Sequence, residues 1–334
     1  MNDLATRVEL FLSGGPGLWL ADGTGTAPEG CAVVATSGSS GDAKLVVLSR
    51  AALTAGAHAA EQRLGFVGTW HLCLPPNHVA GLMVLVRGIL GGGVVQSDPS
   101  LAALEAAGPG ACVSIVATQL YRALADPGLT ARLACFAAVL VGGAALAPEL
   151  RARAQAAGIR VIETYGMSET CGGVVWDGIA LPGVELRIGA RDGRIAIAGP
   201  SIFDGYLGRP DLTAQTLIDG AVHTSDRGRL EGERLVIEGR LDDVVISGGV
   251  NVDLTLVRAA VEAIDQETAV LAVDDAEWGA RVVLFASTGT LAGWRDRLRG
   301  ALPAACLPRQ LVVVERLPRT GAGKPDRARL LELL

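Results

Sequence analysis

The chain has 334 residues and a formal net charge of −6, and half of it is hydrophobic although only 4% is aromatic. That length supports a large core and more than one domain, built from Ala, Val, Leu and Ile rather than rings. The acidic balance leaves no electrostatic footprint for nucleic acid or for an anionic membrane surface.

Taken in chain order, the N-terminal "MNDLATRVELFLSGG" carries acidic residues and no long apolar run, so it does not read as a secretory signal. "CAVVAT" and "KLVVLS" read as strands around a loop of small residues, with Ser49 placed to cap the helix "RAALTAGAHAAEQRLG". "HLCLP" reads as a strand. The apolar stretch "HVAGLMVLVRGILGGGVV" is broken by Arg87 and by glycines, which predicts a buried helix and a strand rather than a membrane span. "CVSIVA" precedes a helix capped at Thr118, "AAVLVGG" precedes one starting near Pro148, and "RVIETYG" closes the series. This alternation predicts an α/β domain with mostly parallel sheets and ligands at the strand C-terminal ends.

After about Gly183 the texture changes to short strands and turns ("VELRIGA", "RDGRIAIAG", "RLEGERLVIEG"), predicting a small antiparallel subdomain. From Asp243 a third texture, with "VVIS", "TAVLAVDD", "ARVVLFAS" and "QLVVVE" as strands, predicts an α+β unit of domain size. The boundary falls at "EGRLDD", giving an N-terminal domain 1–240 and a C-terminal lid domain 241–334. The six cysteines (Cys31, Cys73, Cys112, Cys135, Cys171, Cys306) form no CxxC pair and have no His at ligand spacing. They read as reduced thiols of a soluble, cytoplasmic protein.

All but two of the 29 Lys and Arg residues are arginine, the exceptions being Lys44 and Lys324. Lysine is a compact ammonium on a thin stem and arginine a broad planar fork, so two surviving lysines suggest two narrow sites needing a point charge. Both stand beside glycine-rich loops. The first, "TSGSSGDAK", is not a Walker A sequence, but its consecutive Ser and Gly residues present N–H groups and hydroxyls to a phosphate. A plain hairpin turn is the competing reading of that loop alone. "ETYGMSETCGG" offers Glu169 in a loop after a strand, a carboxylate suited to Mg²⁺ opposite a triphosphate. "HTSDRGRL" places Asp226 at a turn, "EGRLDDVVISGGVN" carries Arg240, paired acids and Gly–Gly, and "LPRTGAGKPDR" holds Lys324. Singly these also read as an ordinary polar turn, an interdomain connector and a flexible tail.

In this order, the five stretches resemble the acyl-adenylate-forming superfamily of acyl- and aryl-CoA synthetases, peptide-synthetase adenylation domains and luciferases, from about residue 31 to the end. "LPPNHVAGLMVLVRGI", "VSIVATQLYRAL", "VLVGGAALAPEL" and "TYGMSETCGGVVWDG" look most like the o-succinylbenzoate–CoA ligases of menaquinone biosynthesis, in their short form. The resemblance implies ATP, Mg²⁺ and CoA, an aromatic acid, and a mobile C-terminal domain.

It also implies roles, residue by residue. Thr36, Ser37, Gly38, Ser39, Ser40, Gly41 and Lys44 would bind the ATP phosphates. Glu169 would hold the metal, and Lys324 would bridge the substrate carboxylate and the α-phosphate. Gly143, Ala144, Glu163, Thr164, Tyr165 and Gly166 would form the adenine slot, with Asp226 on the ribose and Arg240 beside it. The acid would lie against His78, Gly142 and Thr118, with Arg87 or Arg122 meeting a second carboxylate. Asp242 would be the hinge, and Ser247, Gly248 and Gly249 would face CoA.

Three departures stand out: Ser39–Ser40 where threonines are common, "TSD" for the usual "TGD", and a phosphate loop much earlier in the chain than in typical members. The early loop implies a reduced N-terminal subdomain, whose exposed edge a homodimer would cover. Another aryl- or acyl-CoA synthetase, a carrier-dependent adenylation enzyme and a non-catalytic adenylate-binding protein remain open alternatives.

Overall fold

Strand Cys31–Thr36 pairs antiparallel with Lys44–Ser49 along its whole length, Thr36 facing Lys44 at the open end, as the valine pairs Val33–Val34 and Val46–Val47 favour. This is a computed structural model describing residues 2–36, 44–96, 101, 104–105, 107–320 and 325–334. By its internal contacts the chain forms two units: Met1–Ile188 with Ala196–Thr224 and Leu230–Val236, and Gly189–Ile195 with Ser225–Arg229 and Ile237–Leu334.

In the first unit, the hairpin joins Leu18–Trp19 on one side and Gly205–Tyr206 on the other to make a four-stranded sheet. Only the Leu18–Trp19 pairing is parallel there. The larger sheet carries a parallel run in the order Val94–Gln96, Trp70–Leu72, Cys112–Val116, Ala138–Gly142, Val161–Met167. Beyond it Gly172–Trp176 turns back antiparallel and Ile179–Ala180 and the 234–236 segment follow. The mostly parallel sheets expected from the alternation are thus confined to five strands. The antiparallel strands continue the same sheet rather than forming a separate one.

The helices follow their capping signals. Ser49 Oγ accepts from the Ala52 N–H at 3.2 Å and starts the Arg50–Leu64 helix. Thr118 does not cap the next predicted helix. Val116 is its N-cap, and the Gln119 side chain accepts from the Val116 N–H at 2.9 Å while donating to the Cys73 carbonyl at 3.2 Å. A longer amide satisfies both the helix end and a neighbouring strand end, which a threonine at the next position cannot reach. Helix Val79–Leu90 is buried from Gly81 to Gly88, Arg87 included, as its predominantly apolar sequence favours.

In the second unit, strands Val244–Ser247, Val250–Asp253, Ala269–Asp275, Gly279–Ala286 and Gln310–Val313 form one mixed sheet. Helices Leu254–Glu262 and Leu291–Leu298 pack Val257, Val261, Trp294 and Leu298 into its core. Among the described residues no helix is long and apolar enough to cross a membrane, and all six cysteines are free thiols.

Candidate active site

The parallel strands all deliver their C-terminal ends to one edge of the first unit. His78 follows Trp70–Leu72, Thr118 follows Cys112–Val116, Gly142 to Ala144 end Ala138–Gly142, and Glu169 follows Val161–Met167. These predicted positions therefore share one end of the sheet, where α/β folds bind ligands. Gly142 must be glycine: a Cβ there would collide with the Thr164 Oγ1 on the neighbouring strand. Gly143 and Ala144 beyond it are exposed, and Thr164, Tyr165 and Gly166 are half-buried.

Glu163 is part of the scaffold of this edge. Its Oε1 accepts from the Leu146 N–H at 3.2 Å and its Oε2 faces Arg151 at 3.4 Å, while Arg151 also binds Asp177 at 2.7 Å. Asp177 in turn accepts from the Glu163 N–H at 3.0 Å. The sequence reading overlooked Arg151 and Asp177, which fix the loop that follows Gly142.

Glu169 rides on the single turn Ser168–Thr170, where the buried Thr170 hydroxyl accepts from the Met167 N–H and donates to the Gly172 carbonyl at 2.8 Å. Tyr206, 6% exposed, donates its hydroxyl to Glu169 Oε1 at 2.6 Å. Lys44 Nζ stands 5.4 Å from the centroid of the same ring. Burial, reinforced by Glu169, holds the Tyr206 phenol well above its ordinary pKa. The structure thus joins Lys44 and Glu169 through a tyrosine the sequence reading missed. Its one sequence signal is scarcity, since the chain has three tyrosines. Ser37, Gly38, Ser39, Ser40 and Gly41 lie outside the described residues.

Arg87 is not a solvated helix cation. It is 8% exposed and lies in the last turn of Val79–Leu90, with Trp70 at 5.1 Å and Trp176 at 5.8 Å from its guanidinium carbon. Among the described residues it has no ion pair, and its buried Nε has no hydrogen-bond partner. Its acidic neighbours are thiols, and burial pushes Cys112 up to about 11 and Cys171 higher still, so neither supplies an anion at neutral pH. Burial pushes Arg87 itself down to about 10, still a cation. Arg122, the other candidate for a second carboxylate, is exposed on the Ala117–Ala123 helix. Along the buried helix, His78 and Arg87 are about 13 Å apart at ~1.5 Å rise per residue. Long helical side chains lean toward the N-terminus, which brings the guanidinium back toward His78.

The second unit carries its own cluster. Asp226, 7% exposed, accepts from Arg240 at 2.9 Å, and Arg240 also grips Asp242 through two bonds of 2.8 and 2.7 Å. The ribose, neighbouring and hinge positions of the sequence reading are therefore one ion network, which raises the Arg240 pKa further. Ser247 to Gly249 end the Val244–Ser247 strand, and the two glycines, at φ 59° and 77°, make a two-residue hairpin turn that side chains disfavour. The Ser247 hydroxyl is buried with no hydrogen-bond partner among the described residues. Lys324 lies outside the described residues; its flanks are tied by a bridge between Arg319 and Pro325.

Comparison with known proteins settles the lineage. The family described as AMP-binding enzyme matches residues 25–207, and the AMP-binding enzyme C-terminal domain matches residues 260–324. A probable 2-succinylbenzoate–CoA ligase of Mycobacterium tuberculosis is 42% identical over 322 residues, covering 90% of this chain and 83% of that one. The chain belongs to the AMP-binding enzyme family. This AMP-binding enzyme is also 28% identical over 335 residues to the 2-succinylbenzoate–CoA ligase of Enterococcus faecalis, covering 90% of this chain and 68% of that one. Among solved structures, an E. coli MenE variant with bound OSB-AMS is similar at TM-score 0.76 and 27% identity, over 93% of this chain and 71% of that one. ATP-bound MatB from Rhodopseudomonas palustris is similar at TM-score 0.77 and 26% identity, over 90% and 67%.

The residues present fit a magnesium–nucleotide complex. Glu169 offers one hard oxygen, Oε2, with no hydrogen bond among the described residues, and these contain no cage of three or more potential metal ligands. Mg²⁺ in nucleotide sites takes one or two carboxylates and draws its other oxygens from phosphates and water.

Proposed function

We propose that this AMP-binding enzyme is an ATP-dependent acid–CoA ligase that works through an acyl-adenylate, and that its acid is 2-succinylbenzoate. A carboxylate is a poor electrophile because its oxide leaves badly. Its attack on the α-phosphate of ATP expels pyrophosphate and gives a mixed anhydride with AMP; the CoA thiolate then attacks the acyl carbon and AMP departs. The protein's task is positioning and charge neutralisation. Thr36, the loop 37–41 and Lys44 hold the β- and γ-phosphates, and Glu169 holds Mg²⁺, whose bound charge offsets that of the phosphates. Gly143 to Ala144 and Glu163 to Gly166 flank the adenine, and Asp226 with Arg240 meets the ribose. Lys324 bridges the two reacting groups. Domains 1–240 and 241–334 rearrange about Asp242 between the half-reactions, bringing Ser247 to Gly249 to CoA. The cytoplasm, with its ATP, CoA and reduced thiols, is the proposed location.

The observation that carries the substrate is Arg87. A cation buried between two indoles, with no ion pair among the described residues, is costly unless a ligand supplies the anion. 2-Succinylbenzoate has two carboxylates: the one that is activated belongs at the strand ends near Glu169, and the other reaches down the Val79–Leu90 helix to Arg87. ATP–pyrophosphate exchange over a panel of aromatic and aliphatic acids, with thioester detection by mass spectrometry, tests this. Exchange and thioester with 2-succinylbenzoate well above benzoate are expected. No exchange with any acid would remove the enzymatic reading, and exchange without thioester would point to a carrier-dependent enzyme.

A further inference from the structure

We propose that Tyr206 is a positioning residue that presents Glu169 to the magnesium–nucleotide complex and ties it to the Lys44 strand. The inference rests on the ligase reading and adds a residue to it.

Tyr206 and Glu169 are 37 positions apart, and two separate contacts bring their segments together: the Phe203 N–H donates to the Glu169 carbonyl at 2.9 Å, and the Tyr206 hydroxyl donates to the Glu169 carboxylate at 2.6 Å. The segment 203–206 therefore holds Glu169 by main chain and side chain at once. It is itself well anchored. Phe203 and Tyr206 rings meet edge to face at 5.0 Å, and the Tyr206 N–H donates to Thr213 Oγ1 at 2.9 Å. Strand pairing then fixes Tyr206 relative to Lys44. Tyr206 lies opposite Val46 in the antiparallel pair, so Tyr206, Val46 and Lys44 project from one face of the sheet. The ammonium of Lys44 over the ring, at 5.4 Å, is the outcome.

The chemistry of the arrangement is specific. A short O–H···O⁻ bond to a carboxylate is of the strong, charge-assisted kind. It occupies Oε1 and fixes the plane of the group, leaving Oε2 directed for one further partner. Without the donor, the carboxylate would rotate about its side-chain bonds and would have to be ordered when the metal–nucleotide complex binds.

Tyr206→Phe removes the donor while keeping the ring, its packing and its contact with Lys44. The test is calorimetric binding of α,β-methylene-ATP to the full chain, with and without Mg²⁺, together with the Mg²⁺ dependence of pyrophosphate exchange. Binding without Mg²⁺ should stay within about twofold of the parent, while the gain in affinity on adding Mg²⁺ should fall by about tenfold, the scale of one charged hydrogen bond. The Mg²⁺ concentration for half-maximal exchange should rise by about the same factor, and excess Mg²⁺ should restore the rate. In a Glu169→Gln background the Tyr206→Phe change should have little further effect on the Mg²⁺ response. An unchanged Mg²⁺ response in Tyr206→Phe, or equal losses with and without Mg²⁺, would overturn the proposal. A parent protein that catalyses no exchange would instead overturn the ligase reading on which it rests.

Discussion

Replacing Arg87 by Met should make the ligand-free protein more stable and the enzyme worse. Burial takes the Arg87 pKa from its ordinary value down to about 10, which corresponds to roughly 3 kcal/mol of desolvation held against the charged form. Since the folded-state pKa of this base lies below its unfolded value, the penalty is fully present at neutral pH and fades only as pH rises through about 10 toward the ordinary arginine value. The contacts with Trp70 and Trp176 return part of it, about 1–2 kcal/mol together. Methionine keeps the unbranched stem between the rings and drops the charge. The net gain should be about 1 kcal/mol, or a Tm higher by about 2–4 °C. Saturating 2-succinylbenzoate should raise the parent's Tm, as a ligand at 100 times its Kd adds about 2.7 kcal/mol, and should move Arg87→Met far less. Loss of the buried pair should cost about 3–5 kcal/mol, a factor of about 10²–10⁴ in kcat/KM for the dicarboxylate, with benzoate turnover little changed. Thermal denaturation with and without the acid reads all of this. An Arg87→Met protein that melts lower and keeps its full response to the acid would refute the reasoning, because Arg87 would then have its anion inside the protein.

Ser49→Ala removes the acceptor for the Ala52 N–H and should cost about 1 kcal/mol, seen as a lower denaturant midpoint with unchanged KM for ATP. Gly142→Ala puts a methyl where Thr164 Oγ1 stands; overpacking of about 1–3 kcal/mol should lower Tm and weaken adenylate-analogue binding, and adding Thr164→Ser should not restore it because the hydroxyl remains. Lys324→Ala should abolish pyrophosphate exchange while CoA transfer from supplied acyl-AMP persists. Equal loss of both half-reactions would contradict its assignment to adenylation alone.

Much of the fold is written in local patterns. The Ser49 cap, the strands "CAVVAT" and "KLVVLS", and the α/β alternation depend on neighbours a few residues away, which the sequence displays. Thr118 shows the limit: capping there is decided by Gln119, whose amide also reaches the Cys73 carbonyl, a contact 46 residues away in sequence. The positions proposed for the nucleotide stand out in the sequence because their residue types suit that chemistry, a carboxylate for a metal and small residues for close approach. Tyr206 was not, since its role depends on a strand pairing that sets it over Lys44 and on a bond to Glu169, 37 residues earlier. Arg87 was legible as a candidate but not as a buried one. Only the packing of Trp70 and Trp176 around it separates it from exposed Arg122.

The most direct test of the account is turnover by the purified protein with ATP, Mg²⁺, CoA and either 2-succinylbenzoate or benzoate, the thioester products being measured by mass spectrometry. The account predicts 2-succinylbenzoyl-CoA with AMP and pyrophosphate, and kcat/KM for the dicarboxylate at least about 10²-fold above that for benzoate. Equal turnover of the two acids, or thioester formation only from acids lacking a second carboxylate, would contradict it.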